Sequence, residues 1–210
     1  VTISSGKNLK IYVDGALIYS LNTSKDINPA DSRTPSALGT TYNGGYKLIG
    51  SLDEVRFYYA ALTAEQIDEF CNVQHEEEKP QVKPAGNSMM AYYTFDDTDD
   101  FGADKLSKYN LSIFDNVKKI LSNADSAVLD KAMHIDEYSA YDPRLYTRDD
   151  LLEARENFTV SAYALLDFDG VGENFTIFSN GWQNAGGISF GYAAHDNLYI
   201  VADVAGGDWI

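Results

Sequence analysis

Asp14-Gly15 sits between two runs of alternating apolar residues, and this arrangement constrains the local fold more tightly than any other feature of the chain. A two-residue Asp-Gly loop suits a hairpin, because its backbone twist matches that of the strands it joins. Leu9 to Ser20 therefore predicts two antiparallel strands. Ile11 faces Ile18 and Val13 faces Ala16 on one side, and Lys10 pairs with Tyr19 on the other. One face of this ribbon is expected in a core and the other is wetter. Strand character returns from Tyr46 to Tyr59 and from Met89 to Phe95. It becomes dense in Phe158 to Phe168, Phe175 to Ser179, Gly187 to Tyr192 and Asn197 to Val204, joined by Gly-containing segments. Short strands at close spacing without βαβ alternation predict an all-β, antiparallel β-sandwich of the jelly-roll kind, with one or two short peripheral helices.

Ala60 to Asn72 predicts the better-defined helix. Thr63 and Gln66 have capping-box spacing, Leu62 and Ile67 occupy staple positions, and Ile67, Phe70 and Cys71 form an apolar stripe that places Cys71 as a small buried side chain. Thr147 is expected to cap a second short helix over Arg148 to Arg155. Residues 22–45 read as long loops around a short strand. Val73 to Asn87 carries Glu76-Glu77-Glu78-Lys79 and two prolines without apolar periodicity, which is the composition of a linker. The chain thus divides into 1–72, a linker at 73–87, and 88–210.

With 32 acidic against 16 basic residues, the 210-residue chain has a formal charge of -16, which argues against nucleic acid and anionic membrane surfaces as partners. No apolar run approaches the roughly 20 residues of a membrane-spanning helix. A single cysteine excludes an internal disulfide framework.

Lys10-Ile11-Tyr12-Val13-Asp14-Gly15, then Ser51-Leu52-Asp53-Glu54-Val55-Arg56-Phe57-Tyr58, then Ala61-Leu62-Thr63-Ala64-Glu65-Gln66-Ile67 resemble, in that order, the closing motifs of the laminin G-like jelly rolls of the concanavalin A-like lectin/glucanase superfamily. Ala91-Tyr92-Tyr93-Thr94-Phe95-Asp96 is similar to that family's first strand, and Asn157-Phe158-Thr159-Val160-Ser161-Ala162-Tyr163 to a central one. Tyr163 stands where the family usually has Trp. The resemblance implies that 1–72 is the C-terminal half of one such sandwich and 88–210 the N-terminal half of a second. Alternatively, the two pair as one permuted module with Leu52 to Tyr58 beside Ala91 to Phe95.

Strand alternation sets Asp53 on the face of Val55 and Phe57, with Glu54 and Arg56 opposite. A buried carboxylate needs backbone N–H groups, a basic side chain or a hard cation such as calcium. First and last strands are neighbours in the family's sandwich, so the resemblance implies that Asp96 or Asp97 lies near Asp53, making these three the candidate calcium ligands beside a purely hydrogen-bonded alternative. The acidic run from Asp96 to Asp100 misses the EF-hand pattern at Phe101 and reads as a solvated loop. Sugar recognition requires an aromatic platform with hydroxyl-binding polar groups. Two loops offer that mixture, through Tyr42, Asn43 and Tyr46 and through Trp182 and Asn184; the alternative is that these aromatics fold back over a sheet end.

Catalysis has little to stand on. The superfamily's glucan hydrolases carry Glu-x-Asp-x-x-Glu on one strand, whereas on the predicted strands here only Asp53-Glu54 occur together, on opposite faces. The expectation is therefore a non-catalytic carbohydrate-binding or adhesion module of a larger secreted or cell-surface protein, taking a glycan or an extracellular-matrix or cell-wall polysaccharide. The alternatives are a ligand-free structural spacer and an accessory domain of a glycoside hydrolase.

Overall fold

Runs of β-branched and aromatic residues become strands throughout the computed structural model, which describes residues 1–27, 35–41, 46–71, 88–97, 99–114, 120–123, 130–135, 144–147, 151–152, 155–166, 175–181, 187–193, 197–204 and 208–209. In chain order the elements are β1 (Thr2–Ser4), β2 (Asn8–Val13), β3 (Ala16–Asn22), β4 (Ser36–Leu38), β5 (Gly50–Tyr58), α1 (Ala64–Cys71), β6 (Met89–Tyr93) and β7 (Ser112–Phe114). They continue with β8 (Ile120–Asn123), β9 (Ala132–Ile135), β10 (Arg144–Thr147), β11 (Phe158–Leu166), β12 (Phe175–Gly181), β13 (Gly187–Ala193), β14 (Asn197–Val204) and β15 (Asp208–Trp209). One sheet has the order β3-β2-β1-β11-β5-β9-β8, with β6 also on β5; the other runs β15-β14-β13-β12-β4-β10-β7. Every described pairing is antiparallel, giving the all-β sandwich that the strand pattern predicts.

β5 occupies the middle of the first sheet. β11 runs along one of its edges from Leu166↔Gly50 to Thr159↔Tyr58. The other edge is shared: β9 takes Gly50 to Leu52 and β6 takes Val55 to Tyr58. All nine residues of the strand are buried, as expected of a strand covered on both faces. Gly50 is required where it stands, because its φ of 138° lies outside the L-residue range and a Cβ there would come within 2.1 Å of the Leu165 carbonyl oxygen.

The inner faces of the two sheets meet around Phe57, whose ring lies edge-on to Phe178 of the opposite sheet (centroids 5.0 Å apart) and to Tyr93 of its own (6.1 Å). Leu38, Leu52, Val55, Leu145, Val160 and Ile188 complete much of this core. Each large apolar side chain buried here contributes roughly 1.5–3 kcal/mol relative to exposure. A smaller cluster of Tyr58, Leu62 and Ile67 fastens α1 to the outer face of the first sheet, with Tyr12 and Met89 against it. The capping box forms as expected: the Gln66 N–H donates to Thr63 Oγ1 (3.3 Å) and the Thr63 N–H to Gln66 Oε1 (3.0 Å).

Three sequence expectations fail locally. The hairpin keeps Val13↔Ala16, but a bulge shifts the register so that Ile11 meets Tyr19 and Lys10 meets Ser20. Its second strand is exposed along most of its length, with Leu17, Ile18 and Tyr19 about half open to solvent, so β3 reaches the core only through Leu21 near its end. Cys71 is exposed, since α1 buries Ile67 and ends on its solvent side. Thr147 is the buried last residue of β10, paired with Ser36, and most of the helix expected over Arg148 to Arg155 lies outside the described residues.

The loop after β6 is organised by one buried carboxylate. Asp104 Oδ1 accepts the backbone N–H of Tyr92 (2.8 Å) and Leu106 (3.0 Å), and Oδ2 accepts those of Lys108 and Tyr109 (3.1 Å each). Its own N–H donates to Asn110 Oδ1. Removing an acceptor that satisfies four buried or half-buried donors leaves them without partners. Asp104→Ala is expected to cost about 2–4 kcal/mol in urea unfolding, and Asp97→Ala, whose exposed carboxylate closes only a local turn, clearly less. Equal losses would contradict the organising role.

Candidate functional site

The ladder between β5 and β11 contains one irregularity, and it decides where the charged residues go. Ser161 pairs with Arg56 and Tyr163 with Asp53, so two steps along β11 correspond to three along β5. The extra residue is accommodated by a bulge at which Glu54 has a φ of 51°. Cross-strand partners point to the same side of a sheet. Arg56, Ser161, Tyr163 and Asp53 consequently share the outer face, while Leu52 and Phe57 keep the inner one. The expectation that Asp53 lies on the face of Val55 and Phe57, opposite Arg56, is overturned by this bulge. Sequence alternation carries no signal for it.

Glu54 and Arg56 are 2% and 4% exposed. Glu54 Oε2 accepts bonds from Arg56 Nη2 and from the Tyr92 hydroxyl, and Arg56 Nη2 also reaches Tyr92 Oη (3.2 Å). The guanidinium carbon lies 4.6 Å from the centre of the Tyr92 ring. Burial disfavours the charge on Arg56, but Glu54 first and Tyr92 next outweigh it and hold the guanidinium above its ordinary pKa. Burial likewise raises Tyr58 and Tyr92 above the ordinary tyrosine value of 10.0. Desolvation of Tyr163 raises it as well.

This polar set borders a cavity of about 310 Å³ that extends past the edge of β11 from the helix-covered face toward the space between the sheets. Tyr12, Tyr163 and Tyr192 contribute aromatic wall, Glu54 and Arg56 the charged portion, and Ile67 and Cys71 of α1 part of the rim. The Ser161 hydroxyl beside it is buried and has no hydrogen-bond partner among the described residues. Beyond Val160, no described strand pairs with this edge of β11.

Of the sugar-binding candidates, Tyr46 is described: it is 55% exposed, has a φ of 48°, and its carbonyl accepts the Thr176 N–H (2.8 Å). Tyr42, Asn43, Trp182 and Asn184 lie outside the described residues. Asp53 Oδ1 accepts the Glu54 N–H (2.7 Å), Asp96 Oδ1 the Lys131 N–H (3.3 Å), and Asp97 Oδ1 those of Asp99 and Asp100. Backbone donors thus supply at least one bond to each carboxylate, and among the described residues no three His, Cys, Asp or Glu side chains group as metal ligands. The tyrosine-lined cavity and the Glu54–Arg56–Tyr92 set were not singled out by sequence; the adjacent acidic and basic residues of the β5 motif were the available sign.

Residues 1–68 match the family described as the concanavalin A-like lectin/glucanases superfamily. This segment is similar to laminin G-like domains. It carries the Asp14-Gly15 hairpin, β5 and most of α1, and so supplies the bulged strand and one rim of the cavity. No curated protein and no solved structure matches the chain.

Two outcomes follow from the buried charges of β5. Arg56→Met leaves Glu54 buried without its cation and is expected to cost about 3–5 kcal/mol, whereas adding Glu54→Gln recovers part of that loss, because an intact apolar or neutral pair avoids an uncompensated charge. Strict additivity in urea unfolding would contradict the coupling. Tyr58 and Tyr92 ionise later in the fold than in the unfolded chain, so their contribution is complete below pH 10 and is lost as pH rises above it. The urea midpoint should fall between about pH 9 and about pH 11.5, less steeply in Tyr92→Phe.

Proposed function

We propose that the chain is a non-catalytic glycan-binding or adhesion module of a secreted or cell-surface protein. The observation that carries this reading is the cavity in which Tyr12, Tyr163 and Tyr192 stand with Glu54 and Arg56. A sugar offers an apolar ring face and a rim of hydroxyls, and aromatic wall beside hydrogen-bonding groups is the matching chemistry. At about 310 Å³ the cavity is at the small end of ligand sites, which run from roughly 300 to 1,000 Å³. That size suits one or two sugar rings more than a long chain segment.

The same residues argue against hydrolysis. Glu54 is committed to Arg56 and Tyr92, and Asp53 accepts the N–H of Glu54, so neither stands ready as an acid or base facing a scissile bond. A glycan array followed by titration of the best neutral ligand tests the reading. Wild type is expected to bind, and Tyr163→Ala to weaken binding about tenfold or more, corresponding to roughly 1.4 kcal/mol. Trp182→Ala and Tyr46→Ala report in parallel on the two sugar-loop candidates. A silent array, or titrations unchanged by every one of these substitutions, would sink the glycan assignment.

A further inference from the structure

Tyr59, Tyr109, Lys108 and Arg155 form a second constellation, and none of the four lines the cavity. Tyr59 follows β5, Lys108 and Tyr109 lie in the Asp104-organised loop, and Arg155 precedes β11. The two hydroxyls are 3.1 Å apart. The Lys108 ammonium is 4.7 Å from the centre of the Tyr109 ring and 5.8 Å from that of Tyr59, and the Arg155 guanidinium carbon is 4.2 Å from the Tyr59 ring. Both cationic side chains are exposed, and both tyrosines are partly so.

The bonding inventory of this cluster is unbalanced. Lys108 brings three N–H donors, Arg155 five, and the tyrosines two O–H groups, against two phenolic oxygens as acceptors. Neither cation has an ion pair among the described residues, although acidic side chains outnumber basic ones two to one in the chain. The nearby carboxylate of Asp104 is taken by four backbone N–H groups. Ring faces attract a cation but do not neutralise it. Hydrogen bonding to Tyr109 first, and the pull of Tyr59 next, hold Lys108 above the ordinary lysine pKa, so its charge is secure at neutral pH.

The main chain that carries Tyr59, Tyr109 and Arg155 is anchored by hydrogen bonds. Tyr93 Oη donates to the Tyr109 carbonyl (2.6 Å), Tyr59 N–H to the Ser88 carbonyl (2.8 Å), and Arg155 N–H to the Leu152 carbonyl (3.0 Å). Exposed donors and two positive charges set beside aromatic faces, with no ion pair among the described residues, match an acceptor-rich anion attached to a ring.

We infer that Tyr59, Lys108, Tyr109 and Arg155 form a subsite for an acidic sugar, one bearing a carboxylate or a sulfate ester. The sugar ring rests on the glycan-binding reading above; the acidic group rests on this cluster alone. The formal charge of -16 repels long polyanions at low salt, so the ligand is a short acidic saccharide and the local cluster governs once screening acts over about 8 Å near 0.15 M salt.

Titration at that ionic strength compares a short oligogalacturonate, a sulfated disaccharide and a neutral glucose oligosaccharide. At least one acidic sugar is expected to bind about tenfold more tightly than the neutral one, and Lys108→Gln with Arg155→Gln is expected to abolish that preference while leaving the neutral ligand unchanged. The responding acidic arm identifies the carboxylate or the sulfate as the recognised group. Neutral binding without acidic preference, or a preference that survives the double substitution, overturns this subsite and spares the cavity. Failure of every saccharide to bind overturns both.

Discussion

The structure depends on β5 being hydrogen-bonded along both edges at once. β11 takes one edge for its full length, while β9 and β6 divide the other, so this strand fixes the position of segments drawn from both sides of residues 73–87. Loss of its register would move Phe57 away from Phe178 and Tyr93 and disconnect the two inner faces. The buried position of β5 also explains why its few polar side chains must find partners within the protein.

The bulge at Glu54 turns that mechanical constraint into a polar set at the edge of the cavity. By adding a residue to β5 opposite β11, it brings Asp53 to the face of Arg56 and Tyr163, and Glu54, at a positive φ, accepts from both Arg56 and the Tyr92 hydroxyl. Left-handed geometry at a non-glycine residue is costly and persists where surrounding bonds over-determine it. Here two ladders and a charged hydrogen-bond set do so. The tyrosine-lined cavity next to them follows from the same change in register.

Features governed by neighbours in sequence were legible. Asp14-Gly15 makes its turn, Thr63 and Gln66 close their capping box, and Leu62 and Ile67 pack where a staple places them. Alternation also identifies the long strands, and through them the sandwich. It fails at the bulges of the β2–β3 and β5–β11 ladders, because a single inserted residue reverses every later assignment of face. Short β7, β8, β9 and β10 escaped notice, since strands of three or four residues acquire their identity from partners distant in sequence. Asp104 resembles any other member of an acidic stretch until four backbone donors converge on it. The Tyr59, Lys108, Tyr109 and Arg155 cluster combines three separate stretches of chain, a combination that no local motif encodes.

Amide hydrogen exchange of β5, read residue by residue, tests the central claim most directly. If β5 is locked between β11 on one side and β6 and β9 on the other, the ladder-bonded amides from Leu52 to Tyr58 exchange only through global unfolding, and their opening free energy equals that from urea denaturation. Exchange of these amides within minutes, while those paired between β12 and β13 stay protected, would contradict it.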